Sequence, residues 1–253
     1  MLEKIIRVVR EAGELIRCAH DVEQDTTEKT SPSDLVTKYD VAVQNYLRRE
    51  LLRLLPEADF LGEEGEHAAL TQPWCFVVDP IDGTVNFVRD LGYSNISVAL
   101  VRQGTVEYGV VYNPFREELF SARRGEGAWL NEKPIHVSDY DPVHALVLSG
   151  STIYDREMTD THFRMLSKLY GQCADFRRFG AAALDLCQIA AGRAEILFEC
   201  RLRPWDFAAG SLILTEAGGQ VTTLDGGEIS ALKSGSIFAS NGRCHALLEA
   251  IRE

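Results

Sequence analysis

The sequence predicts an α/β protein of the α+β kind, and three features of its pattern indicate this fold class. Two stretches near the start, 2–19 and 40–55, carry apolar side chains at helical spacing. A run of short strand-like segments follows, mostly joined by glycine turns. From residue 145 onward the chain alternates between strand and helix patterns, which is typical of an α/β layer.

The first half is predicted to contain two helices and a largely antiparallel sheet. The polar stretch 21–34 includes a proline and predicts a loop or a short hairpin between the helices. Pro56 ends the second helix. Next come DFLGEEG and WCFVVD, two predicted strands that end in acids. The segment SNISVALVRQGTVEYGVVYNP predicts two strands around a turn at Gln103 and Gly104.

In the second half, strands and helices are predicted in turn. The predicted strands are 145–150, 175–179, 194–199, 220–224 and 236–240. The predicted helices are 156–171, 180–192, 206–219 and 241–253. The pattern changes near residue 140, so we expect an N-terminal α+β lobe, 1–140, and a C-terminal α/β lobe, 141–253.

The totals of the chain narrow the possible function classes. Its 253 residues suit one large domain or two small lobes, and its net charge is −12, from 26 basic and 38 acidic residues. That balance argues against a protein that binds nucleic acid by itself through a broad basic face. No apolar run reaches the length of a membrane span, and the charged start is unlike a secretory signal. We therefore expect a cytoplasmic protein without a membrane partner.

Acidic residues recur where predicted strands end or helices begin. They are Glu63, Glu64, Asp79, Asp82 and Asp206. Taken singly, each is explained as a helix cap, a turn residue or part of a solvated face. Taken together, they would repel one another in the crevice where α/β proteins bind ligands, unless a cation lay between them. Mg²⁺ prefers carboxylate and carbonyl oxygens, and no cluster of His or Cys competes for a softer metal. The pattern favours a magnesium site with several ions.

Gly83 and Thr84 directly follow the acidic pair in the stretch FVVDPIDGTVNF. If a helix begins there, its free backbone N–H groups favour an anion, phosphate above all. An ordinary turn would explain Gly83 but not its acidic neighbours. The chain has no Walker-type loop and no nucleotide fingerprint, so hydrolysis of a phosphate monoester fits better than phosphoryl transfer from ATP.

These motifs carry a family resemblance that runs nearly from end to end. The segments are EKTSPSDLVTKYD, FLGEEG, VVDPIDGTVNF, GVVYNPFREELFSARRGEGAWLN, RRFGAAALDL, FECRLRPWDFAAG and TEAGG. The chain resembles the inositol monophosphatase family of magnesium-dependent, lithium-sensitive phosphatases, most closely its bacterial members. The resemblance implies a layered αβαβα sandwich of the inositol monophosphatase and fructose-1,6-bisphosphatase type, usually a homodimer. The N-terminal lobe would carry most metal ligands, and the C-terminal lobe would complete the active site.

The resemblance also implies a set of metal ligands. Glu63, Asp79 and the Ile81 carbonyl would hold a first Mg²⁺. Asp79, Asp82 and Asp206 would hold a second, with Asp79 bridging the two. Glu63 would also support a third, weaker ion, which gives two to three ions in all.

Further roles follow from the same resemblance. Gly83 and Thr84 would bind phosphate through backbone N–H groups. The Thr84 hydroxyl, steered by Asp40, would orient or deprotonate the attacking water with help from Glu63. Lys29, in the loop, matches a basic residue that closes over the site. Glu64 would lie next to the metal ligands without binding the metal directly.

A substrate pocket is implied as well. The residues expected to contact substrate are Asp82, Gly83, Thr84, Gly180, Ala181, Ala182, Glu199 and Asp206. Relatives commonly carry Ser or Thr where this chain has Ala181, so selectivity for inositol is open. The expected reaction is hydrolysis of inositol-1-phosphate, or a related polyol or sugar phosphate, by metal-activated water. The alternatives are a dual-specificity fructose-1,6-bisphosphatase and a phosphatase-fold protein with a regulatory, protein-binding role.

Overall fold

The computed structural model of the chain describes residues 1–20, 22–31, 34–65, 69–150 and 156–252. The helices in these ranges are α1 (Leu2–Arg17), α2 (Lys38–Leu54), α3 (Thr84–Val88), α4 (Thr159–Tyr170), α5 (Ala182–Ala190), α6 (Pro204–Glu216) and α7 (Leu247–Arg252). Short 3₁₀ turns occupy Val22–Asp25, Pro142–His144 and Arg156–Met158. None of the described helices is both long and apolar enough to cross a membrane.

The described strands form two sheets and a hairpin. The hairpin pairs β1 (Thr26–Ser31) with β2 (Asp34–Thr37). The larger sheet has seven strands in chain order: β3 (Asp59–Gly62), β4 (Trp74–Asp82), β5 (Asn95–Arg102), β6 (Thr105–Asn113), β7 (Glu118–Arg123), β8 (Ala128–Leu130) and β9 (Lys133–Ile135). The smaller sheet has the order β11 (Asp175–Arg177), β10 (Leu146–Ser149), β12 (Ile196–Leu202), β14 (Gly235–Ser240), β13 (Gln220–Thr222).

The two faces of the larger sheet pack against different helices, because side chains alternate along a strand. On β4, Phe76 and Val78 belong to the hydrophobic cluster that includes α1 and α2. Cys75 and Val77, which point the other way, belong to the cluster that includes α5 and α6. The larger sheet therefore lies between two pairs of helices.

The smaller sheet repeats this arrangement. On β12, Leu197 belongs to the cluster of α5 and α6, whereas Ile196 and Phe198 pack with α4 and α7. The layers therefore run helix, sheet, helix, sheet, helix, which confirms the predicted αβαβα sandwich. The sheets divide the chain between Ile135 and Leu146. Helices α5 and α6 from the second half nevertheless cover the sheet of the first, so separate lobes stay a prediction.

Local sequence explains where α1 and α2 form. On α1, Ile5, Val9, Ala12 and Ile16 lie on one face and are buried, as expected for an amphipathic surface helix. A capping box begins α2. The Thr37 hydroxyl accepts from backbone N–H groups of the first turn, and the Asp40 carboxylate accepts from the Thr37 backbone N–H.

The structure refines two of the sequence predictions. In the segment 21–34, a 3₁₀ turn at Val22–Asp25 precedes β1, whose hairpin partner β2 begins at Asp34; residues 21, 32 and 33 lie outside the described ranges. The predicted terminal helix at 241–253 was wrong at its start, since α7 begins at Leu247; residue 253 is not described. Asn241 explains the delay, because its amide donates to the Tyr140 carbonyl at 2.9 Å and the following Gly242 has a φ of +84°. The left-handed backbone of Gly242 cannot be part of an α-helix, so the helix cannot begin at 241.

Candidate active site

Strand β4 places two acids at its buried end. After Trp74 every residue of the strand is buried, including Asp79 and Asp82. The pairing with β5 becomes irregular between these two residues. Within this irregularity the backbone N–H of Ile81 donates to Asp79 Oδ1 at 3.0 Å. Such a bulge re-aims side chains, and here it leaves two carboxylates close together in the interior.

The carboxylate of Asp82 reaches the N-terminus of α5. Its Oδ1 accepts from the backbone N–H of Ala182 at 3.2 Å, and its Oδ2 accepts from Ala183 at 2.9 Å. Oδ2 also accepts from the side-chain amide of Asn95 at 2.9 Å. An acid is stabilised at this end of a helix because the free N–H groups and the dipole favour negative charge. Asp82 therefore joins the end of β4 to the second half of the chain.

Asp206 lies in the second half of the chain. It lies in the first turn of α6, directly after β12, and is buried. Its Oδ2 accepts from the backbone N–H of Arg203 at 2.8 Å, which fixes the carboxylate at the helix start.

The electrostatics place these acids in one region. Burial raises the pKa of Asp79 well above its usual value, and the charges of Glu63, Asp82 and Asp206 raise it further. Burial, followed by the charge of Asp82, does the same to the pKa of Asp206. Burial raises the pKa of Asp82 to about 6, against the opposing hydrogen bond from Asn95. Acids from both halves thus share a buried region where their negative charges repel.

Lys29 on the hairpin supplies positive charge at the edge of this region. Its Nζ lies 2.9 Å from Glu63 Oε1 and 2.5 Å from Glu64 Oε1. Burial alone would lower the pKa of Lys29, but the Glu63 charge and the hydrogen bonds to both carboxylates raise it above its usual value. Gln44 holds the backbone of Glu64 through two hydrogen bonds, of 2.8 and 2.6 Å. A side chain at Gly62 would overlap the Gln44 amide and displace it from Glu64.

Among the described residues, no three His, Cys, Asp or Glu side chains already surround one point as a metal-binding group. Carboxylates raise one another's pKa when they are buried close together. Metal ligands must in addition direct their oxygen atoms at one centre. Here Glu63 faces Lys29, and the carboxylates of Asp82 and Asp206 accept backbone N–H groups. The donor set itself, carboxylates and a carbonyl oxygen, suits a hard divalent cation such as Mg²⁺.

A short helix, α3, does begin after the acidic pair. Thr84 is its first residue and Gly83 precedes it with a φ of +82°. A Cβ at Gly83 would lie 3.1 Å from the Ala181 Cβ and 3.2 Å from the Gly180 carbonyl, so the turn packs tightly against the second half. The Thr84 hydroxyl lies 3.1 Å from the Ile81 carbonyl and 3.5 Å from Asp40 Oδ1.

Asp40 lies behind Thr84 and is fully buried. Its Oδ2 accepts from the backbone N–H and the hydroxyl of Thr37, at 2.7 and 2.6 Å. Burial raises its pKa to about 7, and the two Thr37 hydrogen bonds oppose the rise. Its Oδ1 faces the Thr84 hydroxyl, so Asp40 can accept that proton or orient the group.

The predicted pocket residues lie beside this turn. Gly180 has a φ of +84° and leads through Ala181 into α5. Glu199, on β12, is 5% exposed and accepts from the backbone N–H of Gly150. Burial raises its pKa to about 8 and the charge of Asp185 adds to this. Glu199 is therefore an acid held in the interior of the second half.

Other residues of this region were not predicted from the sequence. Tyr93 donates its hydroxyl to Asp185 Oδ1 at 2.7 Å, and both are buried. The Asn86 amide donates to the carbonyls of Tyr93 and Phe179, at 2.8 and 2.7 Å. The signal for Asp185 was its charge inside the apolar segment ALDLC, and Asn86 lies within the quoted stretch FVVDPIDGTVNF.

Arg178 is also close to the turn. A Cβ at Gly180 would lie 3.6 Å from the Arg178 Nη1. Its charge lowers the pKa of Glu199 and of Asp185, against the larger effect of burial. Within the described ranges no hydrogen bond or ion pair engages its guanidinium, in contrast to Arg177, which pairs with Asp175 at 2.5 Å.

The layered fold and the buried acids are those of a phosphatase-fold protein, and comparison with known proteins agrees. The model of the inositol monophosphatase family matches residues 1–253. The chain belongs to this family.

Individual relatives carry two kinds of name. The chain is 39% identical over 223 residues to the Nus factor SuhB of Salmonella typhimurium, covering 87% of this chain and 83% of that protein. It is 37% identical over 222 residues to the inositol-1-monophosphatase of Rhizobium meliloti, covering 87% and 84%. The crystal structure of the extragenic suppressor protein suhB from Bartonella henselae superposes with a TM-score of 0.91 at 32% identity, covering 99% and 98% of the two chains.

Proposed function

We propose that the protein is a magnesium-dependent phosphomonoesterase that hydrolyses inositol-1-phosphate, or a related polyol or sugar phosphate, to the alcohol and inorganic phosphate. One observation carries the proposal. Asp79 from the first half and Asp206 from the second are both buried, and the charges of Glu63, Asp82 and Asp206 all raise the pKa of Asp79. Membership of the inositol monophosphatase family supports the reaction class.

The residues that would hold two to three Mg²⁺ ions are Glu63, Asp79, Ile81 through its carbonyl, Asp82 and Asp206. Bound there, the ions would supply Lewis-acid chemistry, raising the acidity of water and offsetting negative charge on the leaving oxygen. Lys29 would have to release Glu63 for the full set of oxygens to turn inward, because its ammonium is 2.9 Å from that carboxylate. The metal ions would then neutralise the Glu63 carboxylate in place of the Lys29 ammonium.

The chain's own groups would position the reactants. The backbone N–H groups of Gly83 and Thr84, at the start of α3, would bind the phosphate oxygens. The Thr84 hydroxyl would donate to, or accept from, the attacking water, while Asp40 Oδ1 at 3.5 Å receives or returns the hydroxyl proton. Glu63 would help to activate the water.

The alcohol part of the substrate would lie against Gly180, Ala181, Ala182 and Glu199. Glu199 would accept hydrogen bonds from substrate hydroxyl groups, and Asp82 and Asp206 would border the same space. Ala181 has no hydroxyl, so one side-chain contact to a polyol is lost and selectivity should be broad. The relative from Rhizobium meliloti is named an inositol-1-monophosphatase, which favours inositol phosphate within this class.

The test is a panel of phosphate monoesters with detection of free phosphate, run with and without Mg²⁺. We expect turnover only with the metal. Asp79→Asn should reduce turnover more than about 100-fold while the fold persists, since a ligand to the ions is lost. The exposed Asp139 supplies the control, because Asp139→Asn makes the same chemical change away from the site. Equal turnover with Asp79→Asn and Asp139→Asn would refute the assignment.

A second candidate is a sugar bisphosphatase of the fructose-1,6-bisphosphatase type. The position of Arg178 favours it. Its guanidinium lies beside Gly180, and its charge lowers the pKa of Glu199. Guanidinium groups recognise phosphate through paired hydrogen bonds, so Arg178 is suited to a second phosphate on the alcohol part.

A regulatory role through a protein partner is a third candidate, favoured by the relative named Nus factor SuhB. Such a role and catalysis are separable by experiment. A catalytically silent Asp79→Asn protein should still retain its partners in a pull-down if they bind to the surface of the fold.

A further inference from the structure

Tyr93 connects three parts of the candidate site. Its carbonyl accepts from the Asn86 amide of α3 at 2.8 Å, and its hydroxyl donates to Asp185 of α5 at 2.7 Å. Its ring packs on Phe179, with centroids 4.9 Å apart. Only 6% of Tyr93 is exposed, so these contacts hold a buried side chain in one orientation.

Asp185 depends on this hydroxyl. Every residue of α5 is buried, and Asp185 itself is 1% exposed. A buried carboxylate costs free energy unless it is hydrogen-bonded, and the Tyr93 hydroxyl is its one side-chain donor among the described residues. The bond therefore fixes how far the first turn of α5 lies from Tyr93.

The same first turn of α5 holds a proposed metal ligand. The backbone N–H groups of Ala182 and Ala183 donate to the carboxylate of Asp82. Asp82 is followed by Gly83, the turn that begins α3, and α3 carries Asn86. The contacts thus form a closed ring, from Asn86 through Tyr93 and Asp185 to α5, and back through Asp82 to α3.

The ring also includes the segment that leads into α5. The second bond of the Asn86 amide is to the Phe179 carbonyl at 2.7 Å, next to Gly180. A Cβ at Gly83 would lie 3.1 Å from the Tyr93 carbonyl, so Tyr93 also limits the space of the phosphate-binding turn. A displacement of α5 would therefore change the Asp82 carboxylate and the turn together.

We propose that Tyr93 and Asp185 are positioning residues, whose hydrogen bond fixes the start of α5 and thereby the Asp82 carboxylate for metal binding and hydrolysis. This inference rests on the proposed function for its catalytic part. Its structural part concerns Asp82 and is measured through metal binding. Neither side chain would contact the reacting atoms.

The test compares Tyr93→Phe, which removes the hydroxyl and keeps the ring, with wild type. Mg²⁺ affinity is measured by calorimetry and turnover by phosphate release. We expect each to fall about 10-fold or more, as when a partner that orients a metal ligand is removed. The loss should appear in both kcat and KM, because the Asp82 carboxylate and the Gly83 turn would shift together.

Two further variants separate positioning from simple stability. Asp185→Asn keeps an oxygen that accepts from the Tyr93 hydroxyl, so this variant should retain near-normal Mg²⁺ affinity. Asp185→Leu has no such oxygen and should lose affinity. The matched control is Ser138→Ala, which removes a 2.7 Å hydroxyl bond to the buried Glu195 elsewhere in the fold. It should lower Tm without changing Mg²⁺ affinity or kcat.

Three results would overturn the proposal: wild-type Mg²⁺ affinity in Tyr93→Phe, an equal loss in Ser138→Ala, or equal losses in the Asn and Leu variants of Asp185. Failure of the proposed function is recognised separately, since wild type would then bind Mg²⁺ without releasing phosphate from any substrate. In that case the Mg²⁺ affinities alone decide whether Tyr93 positions Asp82.

Discussion

The Asp82 carboxylate, at the end of β4, accepts a 2.9 Å hydrogen bond from the backbone N–H of Ala183, which lies 101 residues further along the chain. This contact makes the candidate site a product of both halves. The acidic end of the larger sheet is completed by the first turn of a helix that follows the smaller sheet's edge strand. The candidate site therefore forms only when α5 packs against the larger sheet.

The metal-free protein should lose stability as the pH rises from about 4 to about 7. Asp40 and Asp82 have folded-state pKa values of about 7 and about 6, above the value of about 4 for an unfolded aspartate. In this window the folded chain binds more protons than the unfolded chain, so raising the pH favours unfolding. We expect a fall of about 5–10 °C in Tm, measured by calorimetry in EDTA.

Mg²⁺ should remove most of this pH dependence, because a bound cation stabilises the ionised carboxylates. The gain in Tm on adding Mg²⁺ should therefore increase between pH 5 and 7.5. A metal-free Tm that rises across the same range would contradict the proposed shared burial of the acids.

Lys29→Gln should make the metal-free protein less stable by about 1 kcal/mol, because Glu63 and Glu64 lose their ammonium partner. The stabilisation that Mg²⁺ provides should grow by a similar amount. The measurement is Tm with and without Mg²⁺, and Lys133→Gln on the exposed strand β9 is the control. An unchanged metal-free Tm would show that the ion pair has no part in holding the acids.

Thr84→Val should reduce kcat about 100-fold, whereas Thr84→Ser should remain within a few-fold of wild type. Valine has the shape of threonine without the hydroxyl that lies 3.5 Å from Asp40 Oδ1 and 3.1 Å from the Ile81 carbonyl. Steady-state phosphate release decides the matter. If both variants kept the wild-type rate, Thr84 would act through its backbone N–H alone.

Arg178→Ala should lower kcat/KM for fructose-1,6-bisphosphate about 10-fold or more, if the second candidate function holds. The rate on inositol-1-phosphate should change little. Arg177→Ala is the matched control, since that neighbouring arginine is engaged by Asp175. Equal effects on the mono- and bisphosphate would remove the reason for assigning a second phosphate to Arg178.

The sequence predicted those parts of the fold and site that local signals determine. The buried strand was predicted to end at Asp79, whereas β4 continues through an irregular pairing to Asp82. A helix start at Gly83 and Thr84 was one interpretation of the glycine after the acids, and α3 does begin at Thr84. The family and the αβαβα layers were also predicted and are confirmed. The metal, phosphate and pocket roles stay predictions.

What the sequence did not reveal depends on contacts between distant residues. Nothing near Tyr93 indicates that its hydroxyl meets Asp185, 92 residues away. The late start of α7 has the same cause, since the Asn241 amide bonds to Tyr140, 101 residues earlier. The pairing of Lys29 with Glu63 likewise joins a hairpin to the end of another strand. Spacing along the chain carries no information about such pairs.

The central claim is that divalent cations bind between acids of the two halves. The most direct measurement is anomalous diffraction from crystals soaked in Mn²⁺, an ion that accepts the same oxygen ligands as Mg²⁺. We predict at least two ions, one of which contacts both Asp79 and Asp206. An empty region between these two carboxylates at saturating Mn²⁺, in a crystal whose lattice leaves the site open, would contradict the claim.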